Sequence, residues 1–220
     1  MKWFRDNGLT LALLGLFAVS LIGQGWSGWL SHVAEQTRHG EAGPTLFDYL
    51  ASGQFLSALF ENWESEFLQM WAFVMLTAYL VQKGSPESKK PDEENPQDRD
   101  PALDENKKDA PWPVRAGGLA RVVYSHSLGF ALLLLFIASF VLHWINSTRH
   151  AADEARAHGE SGPTLLQQLA DAEFWFESFQ NWQSEFLSTA VLIVLGIYLR
   201  ERHSPESKPV SAPHPETGSN

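Results

Sequence analysis

Asn62 and Glu66 stand four residues apart, as do Asn181 and Glu185. That spacing sets an amide and a carboxylate on one helix face, and both pairs stand at the start of long apolar stretches. An ionisable group just inside a membrane boundary is a candidate solute or proton site. The competing role is structural, with Asn and Glu bonding exposed turn backbone or reaching out to water. A second set, His39, Glu41, His158 and Glu160, offers two imidazoles and two carboxylates, donors suited to zinc, iron or manganese. Its spacing matches no established metal motif, and a histidine before glycine also serves as a cation at a helix end. His126 and His143 flank one apolar segment, but a haem pair would need matching histidines on another segment, and there are none. No nucleophile–base pair, phosphate loop or metalloprotease motif is present. The chain has no cysteine, which removes disulfides, thiolate catalysis and thiolate-bound zinc. The expectation is a non-enzymatic protein without a cofactor.

These residues sit in a duplicated unit. Shifted by 119 positions, the chain matches itself without a gap, and 33 of the 81 positions from Leu9 to Lys89 agree. His39-Gly-Glu-Ala-Gly-Pro-Thr-Leu46 falls on His158-Gly-Glu-Ser-Gly-Pro-Thr-Leu165. Asn62-Trp-Glu-Ser-Glu-Phe-Leu68 falls on Asn181-Trp-Gln-Ser-Glu-Phe-Leu187, and Ser85-Pro-Glu-Ser-Lys89 on Ser204-Pro-Glu-Ser-Lys208. Each copy reads as apolar segment, polar loop, apolar segment.

The elements that must position the repeated residues follow from the apolar runs. A bilayer core of about 30 Å needs about 20 helical residues at 1.5 Å each. The segments from Leu9 and from Leu128 reach that length, and Leu132–Phe136 is apolar on every face of a helix. Phe67–Val81 and Phe186–Leu199 are shorter. Trp63 and Trp182 extend them to the lipid–water boundary, and two crossings ahead of matching loops demand two returns. The expected fold is an all-α membrane protein: two tandem parallel helical-hairpin repeats forming a four-transmembrane-helix bundle with short helical outer caps. Repeat 1 spans 1–83, with crossings at about 7–29 and 62–82 and a cap at 39–61. Repeat 2 spans 119–202, with crossings at about 124–145 and 181–200 and a cap at 158–180. The first apolar segment also fits a signal peptide, but its counterpart lies in mid-chain, which favours a retained helix.

Charge orients the assembly. Of the 16 Lys and Arg residues, only Arg38, Arg149 and Arg156 fall in the two polar loops. The positive-inside rule then puts both termini and the central segment in the cytoplasm. The net charge is −10, and nine of the 26 carboxylates lie in that segment, between Glu87 and Asp109. From 84 to 118 the chain is rich in Pro, Asp, Glu and Lys and reads as a disordered acidic linker, with a second disordered tail at 203–220. An acidic chain with no basic patch is no nucleic-acid binder. Within the loops, Gly40 and Gly159 suit left-handed helix ends. Thr45 with Asp48 and Thr164 with Gln167 have the form of capping boxes, and Ser52 and Asp171 suit the caps of the next helices.

Phe4-Arg-Asp-Asn-Gly-Leu9, Asn62-Trp-Glu-Ser-Glu-Phe-Leu-Gln-Met70, Ala110-Pro-Trp-Pro-Val-Arg115 and Asn181-Trp-Gln-Ser-Glu-Phe-Leu187 resemble a bacterial family known only as a domain of unknown function. The resemblance covers nearly the whole chain and includes the Ser-Pro-Glu-Ser-Lys motifs. It implies a bacterial four-helix membrane protein and supplies no activity or catalytic residue. The reading is a multi-pass inner-membrane scaffold or interaction protein, partnered by the lipid bilayer and by a second copy or another membrane protein. A small-solute permease or channel subunit is the alternative, and a metal-dependent membrane enzyme the remote one.

Overall fold

The computed structural model describes residues 2–38, 40, 42–91 and 93–218. His39 and Glu41 lie outside the described residues. The helices are α1 (Lys2–Asp6), α2 (Gly8–Arg38), α3 (Leu46–Leu50), α4 (Gly53–Tyr79), α5 (Trp112–Ala116), α6 (Gly118–Ser125), α7 (Ser127–Ala157), α8 (Leu165–Leu169) and α9 (Ala172–Tyr198), with 3-10 turns at Pro96–Asp98 and Pro101–Asp104. The described residues form no strand. α2 and α7 have 31 residues each, α3 and α8 five, α4 and α9 27. Every bound in the second series lies 119 positions after its counterpart in the first.

Two of these helices, α2 and α7, are long and apolar enough to cross a membrane. Only 6% of the most apolar part of α2, and 17% of that of α7, is buried. Four of their polar side chains bond to their own backbone. Ser27 donates to the Gly23 carbonyl at 2.7 Å, Thr37 to Val33 at 2.7 Å, Asn146 to Leu142 at 2.8 Å and Thr148 to Trp144 at 2.8 Å. Polar groups satisfied within one helix demand nothing of the surrounding solvent. α4 and α9 are as long as a crossing requires, but Glu61, Glu64 and Glu66 in one, and Glu173, Glu177 and Glu185 in the other, confine the strongly apolar run to the second half.

The chain separates into two compact units. One comprises Met1–Phe60 with Leu142–Phe174, the other Glu61–Val141 with Trp175–Asn220. In the first unit both polar loops fold by one plan. Gly40 and Gly159 turn the chain with φ of 78° and 74°, a region open to glycine. The Gly-Pro turns then lie flat on the long helices: a Cβ on Gly43 would stand 2.8 Å from Val33 Cγ2, and one on Gly162 2.6 Å from Ala152 Cα. Thr45 and Thr164 cap α3 and α8, accepting from the Asp48 and Gln167 amides at 3.3 Å. Gln167 closes its box by accepting from the Thr164 amide at 2.8 Å. Ser52 and Asp171 cap the following helices, accepting from Phe55 N at 3.2 Å and Glu173 N at 2.8 Å. Indole N–H groups tie each cap down, Trp29 to the Pro44 carbonyl at 2.9 Å and Trp144 to the Leu165 carbonyl at 2.8 Å. Phe55 and Phe174, which correspond by the repeat, are both buried beneath the caps.

In the second unit the Ser-Pro-Glu-Ser-Lys motifs form matching hooks after α4 and α9. The chain reverses at Gly84 (φ 87°) and at its counterpart His203 (φ 75°), where only the first copy has the residue that takes this conformation without strain. Ser85 and Ser204 accept from the Glu87 and Glu206 amides at 3.2 Å. Ser88 and Ser207 accept from the Gln82 and Glu201 amides at 2.9 Å. The serines of the motif thus satisfy amides left over where a helix ends. Lys208 is 1% exposed, and its ammonium donates to the Gly84, His214 and Glu216 carbonyls at 2.6, 2.9 and 3.0 Å. Along 84–118, the stretch that composition reads as a tether, Lys89 pairs with Asp98 at 2.8 Å and Arg121 with Glu105 at 3.2 Å, and Asn95 brackets the Lys90 backbone.

Candidate functional site

Between α4 and α9 the second unit contains a polar seam. On α4, Glu61, Ser65 and Gln69 recur at spacing four. On α9, Asn181, Glu185 and Thr189 do the same, so each set forms a stripe on one face. Asn181 donates its amide to the Glu61 carboxylate, and Gln69 donates to Thr189 Oγ1. Trp182 Nε1 donates to Glu64 at 2.8 Å, and Glu64 is wholly buried. A carboxylate of Glu177 comes within 4.8 Å of one from Glu61. Around this seam, Trp175, Phe179, Trp182 and Phe136 pack ring against ring at centroid distances of 5.3–6.4 Å.

The residues singled out by spacing are placed unevenly. Asn181 is in the seam, bonded to Glu61. Glu185 is half-buried, and the Glu66 charge acts on it, while Asn62 and Glu66 are exposed. His158 and Glu160 are exposed; His158 Nδ1 stands 2.9 Å from the Glu154 carbonyl, one turn back on α7, so it closes a helix end. His39 and Glu41 fall outside the described residues. His126 is exposed beside Phe130, whereas His143 is fully buried and stacks on Phe174 at 4.8 Å. Glu61, Glu64, Gln69 and Thr189 are the seam residues that repeat spacing missed. In the second copy, Gln180 and Gln183 stand where the first has Glu61 and Glu64. The stripe Glu61-Ser65-Gln69, at the spacing that shares one helix face, was the signal available.

Below the Gln69–Thr189 bond the two helices part. A cavity of about 480 Å³ opens between them, walled by Phe73, Leu76, Ile193 and Val194 and ending on Ser85 and Glu87 of the first hook. A second cavity of about 610 Å³, polar and lined by Lys89, Lys90 and Glu93, shares Thr77, Glu87 and Ser88 with the first.

Glu87 also faces Glu206, its counterpart in the second hook. Burial, then the Glu206 charge and a hydrogen bond to Glu206, push the Glu87 carboxyl above the ordinary carboxylate range. The folded chain therefore holds this proton at pH values where the unfolded chain has released it. The contribution to stability is complete below roughly pH 4.3 and is lost as pH rises through the raised value. Glu87→Gln keeps the shape and removes the charge. It is expected to raise the midpoint of thermal unfolding at neutral pH and to flatten its fall above pH ~4.3. Melting curves from pH 4 to 8 in detergent test this; an unchanged slope would show that Glu87 is ionised without cost.

Helices alone, two of them fit by length and apolarity to cross a membrane, define the class: a helical protein with membrane-competent segments. A family model described as Domain of unknown function (DUF6766) matches residues 1–219, and the chain belongs to that family. Neither the curated proteins nor the solved structures contain a match.

Proposed function

We propose that this is a multi-pass protein of the bacterial inner membrane, built as two tandem parallel hairpins with four crossings. Both termini and the 84–118 segment are cytoplasmic, and the outer caps form a non-enzymatic docking platform for a partner membrane protein or a second copy. The equal helix lengths offset by 119 residues support the duplication. The nearly uncovered apolar surfaces of α2 and α7 support lipid as their solvent. The observation that carries the scaffold reading is the seam. Asn181 with Glu61, Trp182 with Glu64 and Gln69 with Thr189 bond to each other across two helices. Polar pairs of that kind hold helices together in an apolar solvent.

Because the chain lacks cysteine, single substitutions report topology without background. In intact spheroplasts an impermeant maleimide should label Ser161→Cys and should leave Lys107→Cys unmodified until lysis. Labelling of both from one face would end the four-crossing account. Reconstituted vesicles should hold proton and small-solute gradients as long as protein-free ones. The second reading, a permease using Asn62, Glu66, Asn181 and Glu185 at its outer mouth, is favoured by the two like charges of Glu66 and Glu185 set against each other. A leak abolished by Glu66→Gln with Glu185→Gln would replace the scaffold reading with that one.

A further inference from the structure

The two adjoining cavities differ in chemistry and share a wall, and that junction points to a ligand. The first is a slot between α4 and α9, apolar along Phe73, Leu76, Ile193 and Val194 and closed at its inner end by the Gln69–Thr189 bond. The second carries both signs of charge, lined by Lys89 and Lys90 and by Glu87, Glu93, Glu94 and Asp98. Lys89 is already engaged, donating to the Ala78 carbonyl and to Asp98 at 2.8 Å each. Lys90 is only loosely paired, 3.5 Å from Glu93. Volumes of about 480 and 610 Å³ fall within the range of roughly 300–1,000 Å³ usual for ligand sites.

We propose that the paired cavities bind one phospholipid with a primary-amine headgroup, an acyl chain in the slot, the phosphate on Lys90 and the ammonium on Glu87. This rests on the membrane reading above, in which the hooks lie at the cytoplasmic surface and the slot in the inner leaflet. Charge complementarity selects the headgroup. A phosphodiester suits the lysine, and an ammonium with N–H donors suits a carboxylate that also accepts. A glycerol headgroup, uncharged beyond its phosphate, would leave the Glu87 charge without a counter-ion, and a quaternary ammonium has no donor to give it. The slot explains the tail. Apolar walls that end on a hydrogen-bonded polar pair hold a chain of limited length and leave no buried polar group unsatisfied.

The test uses the full-length protein, delipidated in detergent and offered dioleoyl phosphatidylethanolamine, phosphatidylglycerol or phosphatidylcholine, with bound lipid counted by native mass spectrometry. Retention of the ethanolamine lipid should exceed that of the other two by about tenfold, equivalent to about 1.4 kcal/mol. Ala72→Phe, which fills the slot, and Lys90→Gln, which lies on the hook and spares the helices, should each abolish the preference. Equal retention of the three lipids overturns the proposal, as does an unchanged preference in Lys90→Gln. Extraction of native membranes with alkaline carbonate separates the two levels of failure. A protein that stays in the pellet but shows no preference loses only the lipid site, whereas one released to the supernatant loses the membrane reading as well.

Discussion

Gly53→Val should leave little folded protein, and Gly53→Ala should melt well below the parent. Gly53 is the first residue of α4 and lies against α7 within the same unit. A Cβ there would meet His150 N at 2.6 Å, Asn146 O at 2.9 Å and Arg149 Cβ at 3.0 Å. Two of those three atoms are backbone in the middle of a helix, so no side-chain rotation relieves the clash. Helix propensity pulls the other way, alanine exceeding glycine by at most about 1 kcal/mol. Forcing an extra group into a filled space costs about 1–3 kcal/mol, and more where the neighbours cannot yield. Overpacking wins. The second copy supplies the control, because Ala172 occupies the corresponding position and Ala172→Gly should cost only the propensity difference. Thermal unfolding in detergent, with expression level as a second readout, decides it. A Gly53→Val protein with the parent's midpoint would mean that α4 can be displaced from α7 at no cost.

What the sequence made legible was local. Thr45, Thr164, Ser52 and Asp171 act as caps, and Gly40 and Gly159 take left-handed conformations, because each requirement concerns a few consecutive residues and the repeat states it twice. The tertiary use of the same residues was less legible. Tryptophans at 29, 144 and 182 suit a lipid–water boundary by type, yet their indole N–H groups serve particular acceptors: the Pro44 and Leu165 carbonyls and the Glu64 carboxylate. Trp29 and Trp144 are not repeat equivalents, so comparing the copies hides that each ties down a cap. The seam was obscured for a related reason. Spacing favoured the residues common to both copies, Asn62 with Glu66 and Asn181 with Glu185. On α4 the contact with α9 instead uses Glu61, Glu64 and Gln69, positions at which the copies diverged, so Glu64 is buried against Trp182 while its counterpart Gln183 is exposed. Lys208 is a third case. Composition places it in a polar tail, but four backbone carbonyls converge on its ammonium.

Divergence that keeps the two caps equivalent makes the sharpest test of the duplication. In the first cap the Tyr49 ring lies over Gly28, where a Cβ would stand 2.3 Å from the phenol oxygen, and it packs with His32 and Phe55 at centroid distances of 5.6 Å. In the second, the matching positions are Ser147 and Gln168, and Gln168 Nε2 donates to Ser147 Oγ at 2.9 Å. A large ring over glycine has been exchanged for a shorter amide over serine, and both Tyr49 and Gln168 remain buried. Gly28→Ser alone should destabilise by about 1–3 kcal/mol, since the buried Tyr49 ring must shift against its packing with His32 and Phe55. Tyr49→Gln alone should cost a similar amount or more, because it opens a cavity beneath the cap. Together they rebuild the second copy's pair, so the double variant should be more stable than the sum of the single losses by about 1–2 kcal/mol, within the range for contacting residues. Strictly additive losses in a double-mutant cycle would show that the two caps do not share one packing scheme, and would remove that support for two copies of a single hairpin.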